Sequence, residues 1–163
     1  MPAERIPCLV MMGVSGSGKT TVGTLLASDL NVPFIDADDL HPAANKEKMA
    51  SGHPLTDDDR WPWLALVGDA LRDAGNGVVV ACSALKRSYR DAIRTQAPDV
   101  RFVYLEGSRE VLADRLAKRR GHFMPPGLLD SQLATLEPLQ SDEAGVTVPI
   151  DIPPAEIVDR LST

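Results

Sequence analysis

No apolar stretch in this sequence approaches the roughly 18 residues needed to cross a bilayer, and no charged-then-apolar leader opens it. Cysteine is scarce. Cys8 and Cys82 both sit in apolar runs, so buried reduced thiols are expected rather than a disulfide framework, and the default setting is reducing and cytoplasmic. The three histidines, His41, His53 and His122, show no metal-ligand spacing, which argues against a zinc site. A basic surplus is also missing: 17 Lys and Arg face 23 Asp and Glu, for a net charge of −6. Neutralising a phosphate backbone requires the opposite balance, so a nucleic-acid partner is not expected. There is no repeat and no low-complexity block.

What remains is an ordinary globular composition in a chain of 163 residues, enough for one domain spanning 1–163. A chain of this size buries about two-thirds of its unfolded surface and needs no staple. Short apolar runs alternate with helical periodicity, which predicts an α/β domain around a parallel sheet. Strands are predicted over Cys8–Met12, Pro33–Asp36, Gly77–Cys82, Val100–Leu105 and Val146–Ile152. Helices are predicted over Lys19–Leu30, about Asp58–Ala74, Lys86–Gln96, Ser108–Arg120 and from Pro154 onward. Two segments break the alternation. Leu40–Thr56 is polar and expected to be partly helical, and Gly121 to about Glu143 is rich in Gly, Pro and polar residues. These read as an acceptor-binding insertion (about 38–60) and a lid (about 119–143).

Gly13-Val14-Ser15-Gly16-Ser17-Gly18-Lys19-Thr20 satisfies the pattern G-x-x-x-x-G-K-S/T between a predicted strand and helix. Its glycines allow the unusual dihedrals that turn successive N–H groups inward. The helix that follows adds its positive dipole end to the same anion site. Lys19 can reach the β- and γ-phosphates of ATP, and the Thr20 hydroxyl can ligate Mg²⁺.

Asp36 and Asp38 follow the second strand, at the carboxyl edge where open parallel sheets bind ligands. Spaced i and i+2 on a strand, the two carboxylates would face one pocket. Asp38 is assigned to orient or accept the proton of an acceptor hydroxyl, and Asp36 to help hold Mg²⁺. The third strand ends Ala81-Cys82-Ser83, without a Walker B acid, which counts against motor ATPases and GTPase switches. Arg60, placed after three acids at a helix start, is assigned to an acceptor carboxylate; Lys86 stands near the pocket mouth. Arg115 and Arg119, spaced i and i+4 ahead of Gly121-His122-Phe123, read as arginines that clamp the transferring phosphates. Together these features predict a small-molecule kinase.

Gly13–Thr20, Asp38-Asp39-Leu40-His41-Pro42, Asn45–Gly52, Pro54–Arg60, Cys82–Lys86, Tyr89-Arg90-Asp91, Gly121–Met124, Ser131-Gln132 and Ala134–Glu137 resemble the gluconokinases, small thermoresistant-type enzymes of the shikimate-kinase-like group. The resemblance covers nearly the whole chain. It implies a three-layer P-loop kinase fold with strand order 2-3-1-4-5 and helices on both faces. It further implies transfer of the γ-phosphate of ATP to the 6-hydroxyl of D-gluconate with Mg²⁺, often in a homodimer. By the same analogy Asp38, His41, Arg60, Lys86 and His122 would bind the acceptor, and Arg119 would act from the lid. Departures from the pattern are mild: Thr20 for Ser, Arg87 for Lys, and a short final helix. Two other readings stand beside this one, a shikimate or nucleoside monophosphate kinase and a non-catalytic nucleotide-binding module.

Overall fold

The computed structural model describes residues 7–118 and 126–162. Five strands, β1 (Cys8–Met12), β2 (Phe34–Asp36), β3 (Val78–Ala81), β4 (Arg101–Glu106) and β5 (Gly145–Pro149), form one sheet in the order β2-β3-β1-β4-β5. Every pairing is parallel, as the alternation and the resemblance predicted. The central strands read as continuous apolar runs because helices cover both faces. Val10, Met11 and Met12 of β1 and Val78, Val79 and Val80 of β3 have no exposed surface.

One face carries α1 (Lys19–Leu30) and α7 (Pro154–Ser162), joined by Leu112 of α5 (Arg109–Lys118). The other carries α3 (Asp57–Arg72) and α4 (Arg87–Gln96). Leu26 and Leu64, one on each face, are fully buried. Each such side chain stabilises the fold by roughly 1.5–3 kcal/mol. The start of α3 is fixed by chemistry legible in its sequence. Thr56 Oγ1 accepts from the Asp59 N–H at 3.2 Å, and the Asp59 carboxylate accepts from the Thr56 N–H at 2.8 Å. A reciprocal box of this kind is worth about 1 kcal/mol.

Beside shifts of one or two residues at other element ends, three larger differences from expectation stand out. A 3₁₀ turn, Ala37–Leu40, follows β2 directly, so Asp38 is not on a strand. Strand β5 ends at Pro149, three residues early, because Ile150 turns into the core while its N–H still donates to Glu106 O at 3.0 Å. A helix absent from the sequence reading, α6 (Pro126–Thr135), occupies part of the 119–143 segment and buries Leu129 against the α1 side of the sheet. The polar insertion is partly helical as expected, with α2 over Ala43–Ala50.

Candidate active site

The loop from Gly13 to Thr20 joins the innermost strand to α1 at the carboxyl edge of the sheet. Gly16 and Gly18 take φ values of 86° and 93°, the left-handed region that disfavours other residues. Gly18 is the N-cap of α1 and has no side chain to accept from the helix's first N–H groups, which leaves that end to an anion. A Cβ on Gly16 would lie 3.0 Å from Leu116 Cγ, so the loop is seated closely on α5. Lys19 Nζ donates to the carbonyls of Gly13 at 2.8 Å and Val14 at 3.3 Å, which holds the ammonium over the loop. Arg115 reaches the same loop. Its Nη1 stands 3.6 Å from where a Gly18 Cβ would be, while its Nη2 donates to Ile150 O.

Asp36 sits in register with Ala81 of β3, which in turn is opposite Met11 of β1. An acid therefore stands one strand over from the end of β3, which has none of its own. Asp36 also has a structural task, accepting the Asp38 N–H on Oδ1 at 3.0 Å to cap the 3₁₀ turn. The two carboxylates do come together, but the turn brings them together and strand alternation does not. Desolvation, then repulsion from Asp36, raises the Asp38 carboxyl above its ordinary range, while His41 and Lys19 pull the other way. That balance places Asp38 within electrostatic reach of the cradle lysine.

His41 is buried at 8% exposure and stacks on Trp63, with ring centroids 4.2 Å apart and planes 14° from parallel. Trp63 Nε1 donates to Ala37 O at 2.8 Å, which ties α3 to the turn carrying Asp38. Burial holds the His41 imidazole below its ordinary value; Lys46 and Arg60 add to this and Asp38 opposes it.

Arg60 and Lys86 converge from α3 and from the turn before α4. Arg60 Nη1 donates to Asp57 Oδ1 at 2.9 Å, and Lys86 Nζ lies 3.9 Å from Asp57 Oδ2. Both cations stand over the Tyr89 ring, 5.7 and 5.6 Å from its centroid. The Tyr89 hydroxyl donates to Asp57 Oδ1 at 2.6 Å. That bond is the main reason the Asp57 carboxyl lies below its ordinary value, and burial pushes the phenol up to about 12. From the sequence, Asp57 and Tyr89 were parts of quoted motifs with no site role assigned to either. In the structure they organise the two cations. Tyr89→Phe is therefore expected to leave the fold intact and raise the acceptor KM several-fold with little change in kcat; an unchanged KM would reduce Tyr89 to packing.

Gln132 on α6 was quoted only as part of a motif, yet its Oε1 accepts from the Ser15 N–H at 2.8 Å. A separation of 117 residues leaves no local signal for that contact. Asn45 was likewise unassigned, although it lies one helical turn beyond His41. Arg119 and His122 lie outside the described residues. A cleft of about 460 Å³ opens at the tips of β4 and β5, between Glu106, Ser108, Pro149 and Asp151, and no residue nominated from the sequence lines it. Among the described residues no group of three His, Cys, Asp or Glu side chains is arranged to hold a metal. Mg²⁺ at a phosphate site does not need such a group, because it takes one or two protein oxygens and completes its shell with water and phosphate. The Thr20 hydroxyl and the free oxygen of Asp36 are hard donors of that kind.

The family described as an AAA domain matches residues 9–139. A gluconokinase from Gluconobacter oxydans is 53% identical over 156 residues, covering 94% of this chain and 88% of that protein. The thermoresistant gluconokinase of Escherichia coli is 46% identical, covering 88% and 83%. Among solved structures, a gluconokinase from Sinorhizobium meliloti superposes with a TM-score of 0.85 at 53% identity, covering 94% of this chain and 88% of that one.

Proposed function

The chain belongs to the gluconokinase family, and from that premise we propose that it transfers the γ-phosphate of ATP to the 6-hydroxyl of D-gluconate, giving 6-phospho-D-gluconate and ADP. The observation that carries this reading is the pairing of an anion cradle with a separate cationic corner, Asp38 lying between them in sequence and within electrostatic reach of Lys19.

The N–H groups of the loop and of the first turn of α1 hold the phosphates of ATP, with Lys19 neutralising the β- and γ-groups. Arg115 reaches the loop from α5, and Arg119, four residues on, is assigned to the transferring phosphate from the lid. Arg60 and Lys86 take the gluconate carboxylate in their corner, where Tyr89 and Asp57 keep them apart and aimed. His41 and His122 are assigned to the hydroxyl chain. Asp38 accepts the 6-hydroxyl proton as the oxygen attacks phosphorus. Thr20 and Asp36 would hold Mg²⁺, which when bound neutralises charge on the phosphate oxygens.

The finer parts of the proposal are Mg²⁺ as the ion, a homodimer and a cytoplasmic setting. Two unpaired cysteines suit a reducing compartment, and burial raises Cys82 to about 12, which makes it an inert thiol. Among the described residues no helix is long and apolar enough to cross a membrane.

A coupled ADP-release assay across gluconate, gluconolactone, shikimate and nucleoside monophosphates tests the activity. Release with gluconate alone is expected, and equal release with shikimate would overturn the assignment. Lys19→Ala is expected to weaken ATP binding and lower turnover together. Normal activity in that variant would remove the loop from phosphate binding.

A further inference from the structure

We infer that Asn45 is a positioning residue that locks His41 into the neutral tautomer protonated on Nε2, so that the imidazole can only donate toward the acceptor side of the site. The catalytic consequence rests on the gluconate reading, but the tautomer does not.

The argument is one of hydrogen counting. Asn45 is buried at 5% exposure on α2, and its Nδ2 lies 2.9 Å from Asp59 O on α3. A backbone carbonyl accepts only, so the amide atom facing it is the nitrogen, which also settles the orientation of the side chain. The same nitrogen lies 3.2 Å from His41 Nδ1. An amide nitrogen has two hydrogens and no acceptor capacity. One hydrogen goes to Asp59 O and the other meets Nδ1, which must therefore present a lone pair. A neutral imidazole has one N–H, and it is left on Nε2, across the ring from the α2 contact. The stack on Trp63, itself tied to Ala37, fixes the plane of the ring. A half-turn that keeps that plane would put Cδ2–H against the Asn45 N–H and lose the hydrogen bond.

Three charged groups face His41 from the elements around it: Asp38 on the 3₁₀ turn, Lys46 on α2 and Arg60 on α3. Two are cations and one an anion, and with burial they leave the ring neutral near pH 7. Asp38 and His41 are then complementary. The carboxylate can only accept a hydrogen and the imidazole Nε2 can only donate one, so the pair fixes the direction of the hydrogen bonds to neighbouring hydroxyls. A polyol meets both demands, since each hydroxyl can donate and accept. A ligand group that only donates, such as an ammonium, would be refused at the His41 position.

The test is a long-range ¹H–¹⁵N correlation spectrum of the histidine rings in the full chain. Only three histidines are present, and His41→Gln identifies the signals of interest by their loss. The wild-type ring is expected to be neutral at about pH 7, with the hydrogen on Nε2, although the ordinary imidazole titrates near about 6.5. Asn45→Asp replaces the donor by an acceptor. It should move the hydrogen to Nδ1 or charge the ring, and raise the gluconate KM about tenfold or more with the ATP KM little changed. His41→Gln, whose amide hydrogens can stand near the Nε2 position, should keep more gluconate affinity than His41→Asn. An Nδ1-protonated or charged ring in the wild type overturns the proposal, as does an unchanged ring spectrum in Asn45→Asp. Because the wild-type spectrum alone decides the tautomer, a failure of Asn45→Asp to fold does not rescue the idea. An Nε2-protonated ring in a protein that releases no ADP with gluconate would leave the lock standing and sink the activity instead.

Discussion

Asp38→Asn is expected to lower kcat by roughly 10²–10⁴, the range of a lost general base, while ATP affinity stays nearly intact. The substitution keeps the size and planarity of the side chain and removes its capacity to accept a proton. The surrounding frame is held without the Asp38 carboxylate. Asp36 caps the turn through the Asp38 backbone N–H, and Trp63 holds the Ala37 carbonyl, so geometry should survive. Lys19 keeps its two loop carbonyls, so the phosphate cradle should survive as well. Steady-state kinetics beside calorimetric ATP binding separates these effects. Full turnover in the variant would remove Asp38 from the proton transfer, and a parallel loss of ATP affinity would make its role electrostatic support of the cradle.

Glu143→Ala is expected to cost about 3–5 kcal/mol of stability, because it strands a charge in the interior. Arg90 and Glu143 both have side chains with no exposed surface, and they meet in a two-point contact of 2.7 and 3.0 Å. Arg94 adds a second guanidinium to the same carboxylate at 2.5 Å. At about 2–4 °C per kcal/mol for a chain of this size, the melting temperature should fall by about 6–20 °C. Replacing both partners, as in Arg90→Met with Glu143→Leu, should recover much of that loss, since the penalty comes from the orphaned charge more than from the missing attraction. A single variant that melts within about 2 °C of the wild type would show that water reaches the site.

The same pair adds to the acid sensitivity of the fold. Burial alone would raise the Glu143 carboxyl, but hydrogen bonds from Arg90, the Gln140 N–H and Arg94 outweigh it and hold the group below its ordinary 4.5. A carboxyl lowered in the folded state contributes stability that is complete above the unfolded value and is lost as pH falls below it. Acid unfolding of the wild type should therefore develop below about pH 4.5, and Glu143→Gln should lose that pH-dependent contribution. The pair also bears on the site. Arg90 Nη1 donates to Ala84 O at 2.9 Å and Nη2 to Pro138 O at 3.4 Å. Ala84 adopts φ 44°, unusual for a residue with a Cβ, in the turn that delivers Lys86. Loss of the pair should loosen that turn, so the acceptor KM of Glu143→Ala should rise even below its melting temperature.

The phosphate loop was legible because everything it needs is contiguous: an apolar strand, glycines at fixed offsets, a lysine, and an amphipathic helix. The order of the parallel strands was not legible from periodicity and came from resemblance, since each pairing joins segments far apart in the chain. Asp38 was identified for a reason the structure replaces, because the 3₁₀ turn after Asp36 does what strand alternation was expected to do. Helix α6 was missed because Pro125-Pro126-Gly127 reads as loop composition, although proline is well tolerated at the first position of a helix.

Local patterns made legible the glycine-rich loop ahead of α1 and a core of buried parallel strands, and they nominated Asp38 as an acid beside that loop and Arg60 and Lys86 as cations for an acceptor. Local patterns suffice for these, since backbone conformation and burial are set within a few residues. Partnership is another matter. Tyr89 with Asp57, Asn45 with Asp59, Gln132 with Ser15, and Arg90 with Glu143 exist only once the chain has folded. In three of these sets the residues come from segments 32 to 117 positions apart. A hydrogen bond needs its two groups within about 3 Å, and folding alone brings such distant side chains that close.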